Sequence, residues 1–208
     1  MTVKSDRKPK GSYHHSGLEQ ALVDVAIRTI REHGIDGLTL RDIGAQLGVS
    51  RTAIYRHFED KSALLARVAF EGFRLFRQAL RSTVDAARAR GADPIEEMGV
   101  AYIRFALANQ AHYKTMFGCT LDAGDRYPEV STEADGAFEV LLGTITEEQA
   151  AARIAEQHDP LQLARILWAS VHGIATLGMA GSFDCDGETA ALEDLSRVHA
   201  RILLAGLR

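Results

Sequence analysis

Leu18, Leu22, Val25, Ala26 and Ile30 recur three or four residues apart, which is the period of one face of an α-helix. Ser16-Gly17-Leu18-Glu19 has the spacing of a capping box, with a hydroxyl for the third helical amide and a carboxylate for the cap's own. His33-Gly34 ends the run. A turn at Asp36-Gly37 leads to a second box, Thr39-Leu40-Arg41-Asp42, opening a short helix that turns Leu40, Ile43 and Leu47 to one side. Gly48-Val49-Ser50 interrupts it, and Ser50 can cap a third helix holding Ile54 and Phe58 inward. Glu59-Asp60 then caps a long helix from Lys61, whose Leu64, Leu65, Val68, Phe73, Phe76, Leu80 and Val84 keep the helical period as far as Arg90-Gly91.

Asp93-Pro94 and Asp159-Pro160 each set a capping carboxylate before a proline, whose missing amide proton costs nothing in the first helical turn. Arg126-Tyr127-Pro128 precedes a stretch through Phe138, Val140, Leu141 and Ile145, and Asp184 to Gly187 separates the Asp159 helix from a final one. Alternation over four to eight residues with β-branched enrichment is missing throughout. The expected fold is all-α.

Composition narrows the class. The 208 residues are 46% hydrophobic and 25% charged with four prolines, the balance of a globular protein. Cys119 and Cys185 are too few for a disulfide framework and read as free thiols. No run of about 18 apolar residues occurs, and Met1 to Ser16 is polar and basic, so the chain is expected in the cytoplasm with no membrane partner. The net charge of −4 conceals an asymmetry: residues 1–62 carry ten Lys and Arg against eight acids, the remainder fourteen against twenty. Lys4, Arg7, Lys8 and Lys10 form a basic arm with too few apolar groups to fold alone.

Thr39 to Lys61 is the most informative segment: two short helices about a tight turn, the helix-turn-helix arrangement. Gly44 is small where the helices must nearly touch, Gly48 supplies the turn, Val49 plugs the core and Ile54 anchors the second helix. A glycine in place of alanine inside a helix costs about 1 kcal/mol, so close approach is the compensation expected at Gly44. Arg51, Thr52, Tyr55 and Arg56 fall opposite Ile54 and Phe58. From Ser50 to His57 that helix would be about 12 Å long, short enough for a major groove of about that width. Arginine can take guanine bidentately, threonine a base edge or thymine methyl, and tyrosine can reach a phosphate or stack. Thr39 and Lys61, at two helix starts, would sit near phosphates.

The whole string resembles the DNA-binding domain of the tetracycline-repressor (TetR/AcrR) family: Thr39, Gly48-Val49-Ser50, Tyr55-Arg56-His57-Phe58 and Lys61 stand in that family's order. The resemblance covers roughly residues 17–65 and implies DNA contacts from Thr39, Ser50, Arg51, Thr52, Tyr55, Arg56, His57 and Lys61. Trp168-Ala169-Ser170-Val171-His172-Gly173 is similar to the Trp-x-x-x-His-Gly segment of one subgroup's C-terminal domain. Trp168 and His172 share a helical face, either for ligand contact or for packing, and Gly173 would admit a close helix crossing. The organisation implied is a basic arm (1–16), a DNA-binding domain (17–62) and a ligand-binding and dimerisation domain (63–208).

The resemblance further implies a homodimer through the last two helices, a double-stranded DNA operator that is pseudopalindromic, and a small-molecule effector that moves the long helix from Lys61, which connects the two domains, and releases a repressor. Leu163, Ile166, Leu167, Val171, Ile174 and Leu177, with Leu192, Leu195, Val198, Ile202 and Leu203, offer more apolar surface than one core face requires. For the effector, Tyr102, Phe105, His112, Tyr113, Met116, Phe117 and Phe138, with Trp168 and His172, supply a mostly apolar set that is either cavity lining or core, and suggest a hydrophobic or aromatic ligand. No cofactor is expected. His112, Cys119, His172 and Cys185 lack metal-ligand spacing, and no Gly-x-Ser-x-Gly, P-loop, Gly-x-Gly-x-x-Gly or zinc signature supports catalysis. The alternatives are an enzyme or a small-molecule-binding helical protein without operator function. Activation rather than repression depends on operator position.

Overall fold

The structure is a computed structural model that describes residues 15–118, 126–183 and 189–206. The described residues contain helices and no strand, and they divide at Leu64/Leu65 into two compact units.

The first unit holds α1 (His15–His33), α2 (Leu40–Leu47), α3 (Arg51–Tyr55) and the opening turn of α4 (Lys61–Ala89). α1 begins at His15, so Ser16 lies within the first turn and not at the cap expected there. Leu22, Val25, Ala26 and Ile30 are buried, together with Leu38, Leu40, Ile43, Ile54, Phe58 and Leu64. At the second box the Thr39 oxygen accepts the Asp42 N–H at 3.2 Å, while Asp42 Oδ2 accepts the Thr39 hydroxyl at 2.6 Å. Gly48 closes α2 in the left-handed region at φ 65°, where a side chain would be strained. A Cβ at Gly44 would lie 2.1 Å from Ile54 Cδ1, so the two helices do meet there. Val49 is half-buried and only partly fills the role of core plug.

α3 is shorter than its expected Ser50–His57 span. It stops at Tyr55, and the amides of both His57 and Phe58 donate to the Ile54 carbonyl at 2.9 and 3.0 Å, a tightened last turn that swings Phe58 into the core. Asp60 Oδ1 then accepts the Ala63 N–H at 2.8 Å and starts α4.

The second unit contains the rest of α4, α5 (Pro94–Ala108), α6 (Gln110–Gly118), α7 (Pro128–Ala150), α8 (Pro160–Met179) and α9 (Thr189–Ala205). Asp93 and Asp159 cap α5 and α8 ahead of their prolines, accepting from Ile95 and Glu96 and from Leu161. A break separates α5 from α6 at Asn109, whose side-chain amide and backbone N–H both donate to the Phe105 carbonyl; such local bonds compete with helix continuation. α5 packs against α7, α8 and most extensively α9. That pair is tied by charge: Arg104 grips Glu193 with two bonds of 2.7 Å, Arg197 reaches Glu97 at 2.9 Å, and Arg201 reaches Glu96 at 2.8 Å. α8 crosses α9 closely at Gly178, where a Cβ would meet Leu192 methyls at 2.6 and 2.7 Å, and not at Gly173, which faces nothing within 4 Å.

Candidate functional site

The polar face of α3 is built from the residues that its buried side leaves over. Ile54 and Phe58 are 2% and 4% exposed, which forces Arg51, Thr52, Tyr55 and Arg56 outward. The Arg51 guanidinium lies 5.3 Å from the centroid of the Tyr55 ring one turn on, a cation–π contact that limits the arginine's rotamers. Ser50 caps α3 by accepting the Ala53 N–H at 3.3 Å, which keeps its own proton for an outside acceptor. Lys61 and His57 are half-buried, and Lys61 stands at the start of α4. Thr39 is exposed, but its proton is given to Asp42, whose carboxyl this bond holds below the usual range. A phosphate would have to compete with that carboxylate.

In the second unit an apolar cavity of about 50 Å³ lies among α4, α5, α7, α8 and α9. Phe73, Phe76, Met98, Tyr102, Phe138 and Trp168 supply its larger walls. Of the residues expected at a ligand, Tyr102, Phe138 and Trp168 line it, whereas Phe105, His112, Tyr113, Met116, Phe117 and His172 are not among its lining. Phe105 packs on Phe76, ring centroids 5.0 Å apart. Met116 and His112 fill the space above Gly72, within 2.7 and 3.1 Å of where its Cβ would be. Cys119 and Cys185 lie outside the described residues.

His172 is held behind the wall. Its Nδ1 is 2.8 Å from the Tyr102 hydroxyl and 2.9 Å from that of Tyr113, which also approaches Thr176 at 3.3 Å. Its ring stacks on Tyr113 and meets Phe117 edge-on. Burial lowers the His172 pKa and raises those of both tyrosines, so all three are neutral at pH 7 and one phenol can donate to the single lone pair of Nδ1 in the tautomer that leaves it free. Trp168, one turn away, stacks at a tilt on Phe138 at 5.1 Å.

Two polar residues of the cavity went unread in the sequence. Ser196 is fully buried and His199 half-buried, both line the cavity from α9, and neither Ser196 Oγ nor His199 Nε2 has a hydrogen-bond partner among the described residues.

Residues 22–68 match the family described as "Bacterial regulatory proteins, tetR family", and residues 95–199 match "Tetracyclin repressor-like, C-terminal domain". The chain belongs to the TetR family. The N-terminal TetR match takes in α2, α3 and the start of α4, and the C-terminal one runs from α5 to His199. An uncharacterized HTH-type transcriptional regulator of Mycobacterium tuberculosis is 31% identical over 55% of this chain and 53% of its own length; the chain spans about half the length of that curated relative. A second HTH-type regulator from the same organism is 24% identical over 81% of this chain and 83% of its own. A solved structure of a protein of unknown function from Rhodococcus sp. RHA1 is similar with a TM-score of 0.81 and 31% identity, over 95% of this chain and 99% of that one. No helix among the described residues is long and apolar enough to cross a membrane.

Proposed function

We propose that this TetR-family chain is a sequence-specific DNA-binding transcriptional regulator, a repressor released from a pseudopalindromic operator by a small apolar effector. The observation that carries the reading is the α3 surface, where Arg51, Thr52 and Tyr55, with Arg56 at the C-cap, are all exposed on a helix anchored from behind by Ile54. Arg51 and Arg56 offer base-edge donors, Thr52 and Tyr55 serve bases or phosphate, and Ser50, His57 and Lys61 position the unit on the backbone. Thr39 contributes only after yielding its bond to Asp42.

Residues 17–62 are the DNA-binding part and 63–208 the part that binds effector and a second copy. Ile166 and Leu177 on α8, with Leu195, Val198 and Ile202 on α9, stay 38–68% exposed in the single chain, an apolar face that supports pairing of these helices in a twofold dimer. Such a dimer matches half-sites spaced by about 34 Å or multiples of it. The effector enters the cavity walled by Phe73 and Phe76, side chains of α4, whose first turn belongs to the DNA-binding unit. An effector coupled to DNA by about 1–3 kcal/mol weakens operator binding about 5- to 150-fold.

Selection of bound duplexes from a random library at two salt concentrations tests this. An enriched pseudopalindrome whose base preference survives the higher salt is expected; binding that is sequence-blind and lost with salt, or none, refutes it.

A further inference from the structure

We propose that the molecule this cavity takes is uncharged, built mainly of an aromatic or alicyclic ring, and carries one hydroxyl group held between Ser196 and His199. The inference rests on the regulator reading only in calling that molecule an effector.

Four features of the chain select this chemistry. The walls are rings and a thioether, which favour a flat or ring-shaped apolar body. None of the described lining residues is Lys, Arg, Asp or Glu, so a carboxylate or ammonium entering here would be desolvated with no fixed counter-charge from them. The Tyr102 hydroxyl is already engaged with His172 and Tyr113, and the indole N–H of Trp168, the other polar group of the described wall, donates but cannot accept a proton. That leaves Ser196 and His199 as the polar end, three residues apart on one face of α9, with Oγ and Nε2 both unpartnered among the described residues.

Their chemistry narrows the ligand group further. Burial holds the His199 imidazole below the ordinary histidine range, so Nε2 is either a lone-pair acceptor or a single N–H donor at neutral pH, according to tautomer. A carbonyl satisfies only the donor tautomer, whereas a hydroxyl satisfies both, giving its proton to one partner while accepting from the other. Ser196 is packed for this position: a Cβ on Gly99 of α5 would fall 2.7 Å from Ser196 Oγ, so the glycine makes room for the hydroxyl. The present volume of about 50 Å³ holds a few waters, and a ring enters by displacing the half-buried Phe138 and Trp168 side chains. Trp168 is the only tryptophan of the chain, and its emission therefore reports entry.

Calorimetry on the full chain near neutral pH, with Trp168 emission in parallel, compares three probes of one skeleton: para-tert-butylphenol, tert-butylbenzene and para-tert-butylbenzoate. The phenol is expected to bind about tenfold or more tighter than the hydrocarbon, with the benzoate weakest of the three. Ser196→Ala and His199→Phe should each shrink the phenol-to-hydrocarbon gap to about threefold or less while hydrocarbon affinity is kept. Ser196→Ala removes one oxygen and no packing carbon, so it decides the matter if His199→Phe fails to fold. Equal binding of phenol and hydrocarbon, tightest binding of the benzoate, a gap that persists in the folded variants, or no binding by any probe overturns the proposal. The same titration on protein bound to its selected duplex separates the two readings. If a duplex is selected but the phenol has no advantage, only the hydroxyl pole falls; if no duplex is selected, the regulator reading falls and calorimetry still judges the cavity.

Discussion

Replacing Gly44 by alanine places a methyl carbon 2.1 Å from Ile54 Cδ1 and 3.1 Å from Cγ1, and the size of the effect follows from opposing terms. Alanine gains about 1 kcal/mol of helix propensity, whereas forcing a 2%-exposed isoleucine out of its rotamer costs about 1–3 kcal/mol of overpacking. Gly44→Ala alone should therefore be neutral to about 2 kcal/mol destabilising. Ile54→Val alone removes Cδ1 and costs about 1 kcal/mol through the small void it leaves. Together the clash is gone and the propensity gain remains, so the double variant should return to within about 0.5 kcal/mol of the parent, although simple addition of the single effects predicts a loss of about 1–3 kcal/mol. Urea denaturation measures the cycle. Far-ultraviolet circular dichroism reads both units and Trp168 emission only the second, so a change seen by the first probe alone belongs to the helix-turn-helix unit. Single effects that simply add would show that Gly44 is not there for close approach.

Arg51→Ala should weaken binding of the selected operator by about 1–3 kcal/mol and relax preference at one base pair, while Lys61→Ala should weaken all duplexes alike and lower the salt slope by about one; competition binding at several salt concentrations distinguishes them. The lowered pKa values of His112, His172 and His199 mean that unfolding takes up protons at these rings as pH drops below the ordinary histidine range. Their stabilisation is complete above about pH 6.5 and is lost as pH falls, so the melting temperature should decline between about pH 6.5 and 5, before the carboxylates titrate, and His172→Gln, which keeps an acceptor for the two tyrosines, should reduce the slope. Glu97→Gln loosens the clamp from Arg90 and Arg197, and should cost about 1 kcal/mol at low salt and less as salt screens the parent's pairs.

The elements legible in the sequence are those whose cause is local. A carboxylate before a proline, a threonine three residues ahead of an aspartate, and a glycine after an amphipathic run each act through the nearest backbone amides, and Asp93, Asp159, Thr39 and Gly48 all do so. Gly44 was legible because its helix penalty demands a compensation and Ile54 stands at the right distance downstream. The break at Asn109 needed a choice between two partners for one carbonyl, which periodicity does not record. The aromatic residues stand out in the sequence as a set, but which of them face a void depends on how α5 sits against α7, α8 and α9. In sequence His172 therefore groups with Trp168, although one turn along the same helix takes it from the cavity wall into the tyrosine network. Ser196 and His199 carried no signal at all: a serine and a histidine in an amphipathic helix read as solvated until α5 covers them. The Arg–Glu pairs of α5 and α9 join residues 89, 100 and 105 apart, beyond any local rule.

Hydrophobic periodicity sees a helix as two-sided, and α9 has three sides. Leu192, Ser196, Ala200 and Leu204 are buried, Glu193, Arg197 and Arg201 grip α5, and Leu195, Val198 and Ile202 point outward. Because each side does separate work, a substitution on the outer one should change assembly without changing the fold. Ile202 is 68% exposed in the single chain, so Ile202→Glu should move its stability by no more than about 0.5 kcal/mol. In a twofold interface the same substitution occurs twice and buries two unpaired carboxylates, each at a cost of several kcal/mol. Sedimentation equilibrium should find the parent dimeric at micromolar concentration and Ile202→Glu monomeric, with circular dichroism spectra that superimpose. A parent that sediments as a monomer, or a variant that stays dimeric, would remove this face from the assembly and leave the apolar side of α9 to another partner.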